Sequence, residues 1–241
     1  MHTAAPTTWS SKRTTSCGVT NTKIINTPKA NAQSVAEYTM GCALSCVKRL
    51  YEGDSLYRNR KDNKSLSRKP EDLSGKTIGV IGAGNISVRI MEYARFMGMN
   101  ILCWTRNPEK HKELCDLGVR FVSIEELAEI SDVISVNLPN NADTKGLISK
   151  SLIELMKNTC IFISVSRLAT IDVNALFEKS VNNKSFYTCL DLDVDEAVVS
   201  IIPEQHNVLV TPHIAGGTIE TRKRMFHETA IAIARIVEEN N

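Results

Sequence analysis

After Ser74, short unbroken apolar runs alternate with stretches of helical periodicity. The runs are Thr77–Ile81, Ile101–Trp104, Val119–Val122, Val133–Val136, Cys160–Val165, Phe186–Leu190 and Val208–Val210. None shows the in–out alternation of a strand with one wet face, so each predicts a strand buried on both sides of a sheet. Between most of them the period is helical. Ile86, Ile90, Met91 and Ala94 share one face and stop before Gly98, and Ser123 with Glu126 marks a capped helix start. Strand–helix alternation of this kind predicts an α/β fold, a doubly wound parallel sheet.

Upstream the pattern differs. A helix is expected from Ser34, with Ser34 and Glu37 as a capping box and Ala36, Met40, Ala43, Leu44, Val47 and Leu50 on one apolar face. The stretch "SLYRNRKDNKSLSRKP" reads as a charged, solvated connector. Residues 1 to 22 are polar and read as loose, and Glu220 to Glu239 has the pattern of an amphipathic helix. The division expected is a loose N-terminal segment at 1–30, a nucleotide-type domain at 31–215 and a C-terminal helix at 216–241.

Composition narrows the classes. Twenty-nine basic and 27 acidic residues leave a formal charge of +2, which demands neither nucleic acid nor a membrane as partner. No apolar run reaches the ~20 residues needed to span a bilayer. The opening "MHTAAPTTWSSKRTTS" has no apolar h-region; it is basic and acid-free, compatible with a frayed tail or with an organelle transit segment. Seven cysteines lie scattered without a CxxC pair, which points to reduced core thiols in a cytoplasmic setting and gives no metal site.

The candidate chemistry begins at "VIGAGNISVR". Gly82 and Gly84 follow the first strand directly, and a helix begins near Asn85 and Ile86. Gly82 suits the tight turn, and Gly84 lets the backbone approach a pyrophosphate. The helix start turns free N–H groups and its positive dipole end toward the phosphates. The third glycine of a Rossmann-like fingerprint is Ser87, small enough for close helix–strand packing. The second strand ends in Thr105 and Arg106 where a ribose-binding carboxylate belongs. Loss of that acid together with a guanidinium leans the cofactor from NAD toward NADP, although an exposed loop arginine has the same signature.

Several stretches in register carry a resemblance: "NTPKANAQSVAEYTM" (26–40), "SGKTIGVIGAGNIS" (74–87), "SDVISVNLPNNADTKGLI" (131–148), "ISVSRLATIDVNAL" (163–176), "LDLDVDEA" (190–197) and "VLVTPHIAGGTIE" (208–220). Their order and spacing resemble the D-isomer-specific 2-hydroxyacid dehydrogenases, over residues 24 to 239. The resemblance implies a nucleotide domain paired with a flavodoxin-like substrate domain, and dimerisation through the nucleotide domains. It implies catalysis by Arg167, Glu196 and His213. Arg167 would hold the carboxylate of a small 2-oxoacid, His213 would protonate its carbonyl, and Glu196 would orient His213 and keep it charged. It also implies cofactor contacts from Gly82, Gly84, Asn85, Ile86, Thr105, Arg106, Asn137, Pro139, Thr144, Val165, Ser166, Arg167, Asp191, His213 and Gly216. Glutamate at 196, where the similar formate dehydrogenases carry glutamine, favours reduction of a 2-oxoacid such as glyoxylate or hydroxypyruvate.

Departures from the family pattern keep a second reading open. Leu168 stands where glycine is usual, and Ala197 where proline is usual. The segment before "NTP" is far shorter than in the family, and "SCGVTN" (16–21) resembles only the substrate-carboxylate loop, so most of the substrate domain is expected to be missing. The alternative to an enzyme is a dinucleotide-binding interaction module similar to the C-terminal-binding corepressors, which keep the same triad.

Overall fold

A computed structural model describes residues 25–239. The loose-tail, transit and "SCGVTN" expectations fall outside these residues. Seven parallel strands form one sheet in the order β3-β2-β1-β4-β5-β6-β7. They are β1 (Thr77–Ile81), β2 (Asn100–Trp104), β3 (Val119–Phe121), β4 (Val133–Val136), β5 (Ile161–Ser164), β6 (Tyr187–Asp191) and β7 (Val208–Thr211). Every expected run is a strand, with ends shifted by at most a residue or so. The order reverses between β1 and β4, the point where such sheets bind ligands.

Both faces are covered, which is why the runs are apolar throughout. On one face α1 (Ala32–Val47) and α3 (Asn85–Phe96) pack over Ile78, Val80, Ile101, Cys103, Ile163 and Cys189. On the other, α4 (Ile124–Ile130), α5 (Lys150–Leu155) and α6 (Val173–Asn182) cover Ile81, Leu102, Ile134, Val136, Phe162 and Leu190. Gly79 in β1 admits α4: a Cβ there would lie 2.4 Å from Leu127 Cδ2. The Ser123 hydroxyl accepts from the Glu126 amide at 3.1 Å and caps α4 as expected. The remaining helices are α2 (Leu50–Arg58), α7 (Glu196–Val199) and α8 (Ile219–Glu239).

Three expectations need correction. Ser34 does not cap α1, because the helix starts two residues earlier and Ser34 is buried inside it. Its hydroxyl instead meets Thr218 and Thr221, each at 2.8 Å, and receives Arg224 Nη2 at 3.1 Å, tying α1 to α8. The apolar face of α1 is narrower than expected, and this chain covers it. Ala36, Met40, Ala43, Cys46 and Val47 are buried within this one, while Leu44 and Leu50 fall outside that face and are exposed. The charged connector is partly ordered, since Ser55–Arg58 closes α2 and Asn63–Ser65 forms a 3₁₀ turn.

The amino ends of the strands carry a dense polar network. Asp132 accepts the Thr77 amide at 2.9 Å and Lys157 Nζ at 2.8 Å. Arg49, in the left-handed region at φ 58, lies over the Tyr187 ring at 4.5 Å. The Tyr187 hydroxyl donates to Glu52 at 3.2 Å, and Glu52 also receives the Ser67 amide at 2.6 Å. Among the described residues no helix is long and apolar enough to cross a membrane. The six described cysteines are free, and burial pushes the Cys103 and Cys160 thiols up to about 12.

Candidate active site

The carboxyl ends of the strands gather the expected residues. Gly82 leaves β1 at φ +106, and a Cβ on it would lie 2.7 Å from the Asn137 carbonyl oxygen, so only glycine fits this turn. Nothing stands within 4 Å of the place a Cβ would take on Gly84, which leaves that side of the loop open. Val88 makes the first intrahelical bond of α3, to the Gly84 carbonyl, so the amides of Asn85, Ile86 and Ser87 precede it as free helix-start donors. No acidic side chain lies in that first turn. These features fit a pyrophosphate. Ser87 is fully buried and its hydroxyl has no partner, the consequence of a serine in a glycine's packing position.

The loop after β4 supplies the next wall. Asn137 donates to Ser135 Oγ at 3.0 Å, while its own Oδ1 is buried without a partner and suits a ligand hydroxyl or amide. Thr144 is buried and turned into its own loop, donating to the Pro139 carbonyl at 2.5 Å; it shapes the wall instead of offering a free hydroxyl. Ser166 accepts the Leu138 amide at 2.7 Å and donates to the Val136 carbonyl at 3.1 Å, which fastens the β4 and β5 loops together beside Val165. At the end of β2, Arg106 is exposed and ion-paired with Asp143, next to the half-buried Thr105.

Arg167, just past β5, and His213, just past β7, come together: Arg167 Nη1 lies 3.4 Å from His213 Nδ1. His213 borders two clefts. One of about 460 Å³ is lined by Asn26, Thr27, Asn31, Gly216, Thr221 and Met225 among others. The other, of about 220 Å³, is lined by Val165, Arg167, Leu168, Asp191 and Asp193 among others. Leu168 lines the smaller cleft but also packs on the core below it, so the bulk that replaces glycine is partly absorbed by the fold.

His213 adopts φ 50, a strained value for a non-glycine residue. Asp191 holds it there. That buried carboxylate accepts the amides of Ile214 at 2.8 Å and Ala215 at 2.9 Å and the Thr211 hydroxyl at 2.6 Å. Because Thr211 spends its proton on Asp191, Tyr38 donates to Thr211, at 2.7 Å. The chain from α1 through Tyr38, Thr211 and Asp191 thus fixes the histidine turn. Burial raises the Tyr38 hydroxyl above its usual range and keeps it a donor.

Glu196 does not meet His213. It opens α7, is exposed, and among the described residues its carboxylate has no hydrogen bond or ion pair. The carboxylate on His213 is that of Asp193, whose Oδ1 lies 2.6 Å from Nδ1, and whose Oδ2 accepts from Arg167. Hydrogen bonding from His213, against the cost of desolvation and together with the Arg167 charge, holds the Asp193 carboxyl below its usual range. Asp193 lies in the acidic run already singled out, yet nothing in its spacing distinguishes it from Asp191, Asp195 or Glu196.

The model of the NAD-binding domain of D-isomer specific 2-hydroxyacid dehydrogenases matches residues 40–215. A hydroxypyruvate reductase of Thermotoga maritima is 35% identical over 208 residues, covering 84% of this chain and 66% of that protein. The structure of a D-lactate dehydrogenase from Aquifex aeolicus, complexed with NAD and lactic acid, superposes with a TM-score of 0.77 at 29% identity, covering 88% of this chain and 68% of the other. A glyoxylate reductase from Paecilomyes thermophila gives 0.71 at 30% identity, over 83% and 60%. The chain therefore spans about two thirds of the length of these proteins. With the glycine loop, the strand order and the match in register, the chain belongs to the D-isomer specific 2-hydroxyacid dehydrogenase family and carries its NAD-binding domain.

Proposed function

We propose that this chain transfers a hydride between NAD(P)H and a small 2-oxoacid of the glyoxylate or hydroxypyruvate type, giving the 2-hydroxyacid. The observation that carries the proposal is the pairing of Arg167 with His213 at the carboxyl rim, across the sheet from the open start of α3. Gly82 and Gly84 would admit the pyrophosphate, the amides of Asn85 and Ile86 would bind it, and Asn137 would take a polar group of the nucleoside. When bound, the nicotinamide supplies the hydride. Arg167 binds the substrate carboxylate through the part of its guanidinium fork that Asp193 leaves free. His213 delivers a proton to the carbonyl oxygen as the carbon becomes tetrahedral. Asp191 keeps the histidine turn in place throughout.

The proposal extends to NADPH as the preferred cofactor, on the strength of Thr105 and Arg106. A 2′-phosphate would exchange with Asp143 on Arg106, one anion for another. It extends also to a homodimer in a reducing, cytoplasmic compartment. Surfaces available for a second copy are α2, where Leu50 is 57% and Tyr57 84% exposed, and α8, where Ile219, Phe226 and Ile233 are exposed; sedimentation at micromolar concentration reads the assembly.

The experiment is steady-state oxidation of NADPH and NADH by the purified chain with glyoxylate and with hydroxypyruvate. The expected result is turnover that His213→Asn lowers by roughly 10²-fold or more, with the cofactor still bound. Cofactor binding without any turnover would support the interaction module instead.

A further inference from the structure

Three cysteines share one place in the core. Cys42 and Cys46 stand one turn apart on the same side of α1, and Cys189 lies in β6 within the same buried cluster. Cys46 Sγ is 3.4 Å from Cys189 Sγ, a direct contact between two thiols. Cys42 hydrogen-bonds the same Cys189 thiol. All three are buried, at 6% exposure for Cys42, 2% for Cys46 and 1% for Cys189. Cys103, by contrast, turns its sulfur to the Gly82 carbonyl at 3.8 Å.

The sulfur contact lies behind the hydrogen bonds that hold the His213 turn. Tyr38 precedes Cys42 by one turn of α1 and donates to Thr211. Asp191 follows Cys189 by two residues, on the same face of β6, and accepts from Thr211 and from the amides of Ile214 and Ala215. Any movement of α1 against β6 therefore acts on both.

We propose that Cys46 and Cys189 are a redox-modification site: a peroxide joins them in a reversible disulfide, which draws α1 toward β6 and loosens the hydrogen bonds of the histidine turn. The contacts with Cys42 and Cys46, with burial, push the Cys189 thiol well above its ordinary value, so Cys189 keeps its proton and the first sulfur to react is on α1. The Cys46 thiol attacks the peroxide O–O bond, giving a sulfenic acid and one water. The Cys189 sulfur then displaces that hydroxyl, which leaves with the Cys189 proton as a second water. Two thiols lose two electrons and two protons, and hydrogen peroxide becomes two waters. An S–S bond is about 2.05 Å long, so the 3.4 Å contact must shorten by roughly 1.3 Å. Side-chain rotation alone cannot supply this in a packed core without moving the helix. Burial makes the reaction slow and confines it to a small oxidant.

The test exposes the reduced full-length chain, freed of reductant, to hydrogen peroxide. Remaining thiols are alkylated under denaturing conditions and the peptides are mapped by mass spectrometry. A Cys46–Cys189 link is expected, removed by dithiothreitol and absent from Cys189→Ser. Hydrogen exchange at the Ile214 and Ala215 amides should be faster in the oxidised chain than in the reduced one, with no such difference in Cys189→Ser. Turnover should fall by roughly tenfold, since about 1 Å of misplacement costs up to 10²-fold, and recover on reduction. Only the turnover readout rests on the reading of the site as a 2-oxoacid reductase. A wild type without turnover would sink that reading, while the map and the amide exchange still decide on the disulfide and its coupling. A Cys189 recovered free, or joined to any other cysteine, would overturn the site. A Cys46–Cys189 link that leaves the Ile214 and Ala215 amides unchanged would overturn the coupling. Cys189→Ala serves where Cys189→Ser misfolds, and the wild-type map decides the bond without either.

Discussion

The two rims of the sheet use charge in opposite ways. At the amino rim the ionic groups are more deeply set: Asp132, with a side chain 28% exposed, accepts from Thr77 and Lys157, and the Glu52 carboxylate, with a side chain only 6% exposed, accepts from Ser67 and Tyr187. At the carboxyl rim the groups are half exposed and share partners: Asp193 divides itself between Arg167 and His213, and Arg106 depends on Asp143. Hydrogen-bonded charges set deeper in the fold contribute stability and change little on binding. Exposed pairs contribute little to stability because water screens them, and for the same reason they can be exchanged for a ligand. The groups given a role in the proposed reaction lie where pairing is easily rearranged.

The comparison can be broken most strongly from the amino rim. Burial alone would raise the Asp132 carboxyl, but the hydrogen bonds from Lys157 and the Thr77 amide, with the Lys157 and Lys76 charges, outweigh it and hold the group below the usual carboxylate range. Asp132→Ala should cost about 1.5–3 kcal/mol of stability at neutral pH, with cofactor affinity unchanged. The sign follows from a depressed folded value. The Asp132 contribution is complete above the unfolded carboxyl value of about 3.9 and is lost as pH falls through the lower folded one. Denaturation midpoints of wild type and variant should therefore converge in acid. A gap that persists undiminished at the lowest pH would remove charge from the explanation.

Gly82→Ala probes the other rim, where backbone geometry matters more than side chains. Forcing a Cβ into the left-handed region costs about 1–2 kcal/mol, and this one also meets the Asn137 carbonyl at 2.7 Å. Fluorescence titration should show the affinity for NAD(P)H reduced tenfold or more. Unchanged affinity would mean that the loop does not hold the phosphates. The smallest effect belongs to the exposed pair. Arg106→Ala should weaken NADPH by a few-fold and leave NADH alone, since nearly half of that side chain is in water. Equal loss for both cofactors would contradict a contact to the 2′-phosphate.

How much of this was readable from the sequence follows the same division. Strands β1 and β4 and the Gly82 turn are local features: an unbroken apolar run, or a glycine at a strand end, carries its own physical reason. The Ser123 cap is local too, and the structure has it as read. Ser34 has the identical local signature, yet its hydroxyl is used by Thr218 and Thr221, which no window of sequence around it contains. The same holds for the apolar face of α1, whose partners lie on β5 and α3. Asp193 is the sharpest case. Which of four neighbouring acids reaches His213 depends on how the loop after β6 folds against the end of β7, where Asp191 pairs with Thr211. Composition marks the run as acidic and the family pattern favours Glu196, but neither specifies that contact.

The central claim, that this rim moves a hydride to a 2-oxoacid carbon under the control of Arg167 and His213, is tested most directly by following the hydrogen itself. The purified chain is mixed with glyoxylate and NADPH deuterated at the transferring position of the nicotinamide, and the product is read by mass spectrometry and proton NMR. The account predicts glycolate with deuterium on the carbon that bears the new hydroxyl, and no such product from His213→Asn on the same time scale. Bound cofactor that yields no glycolate, or glycolate without the label, would contradict it.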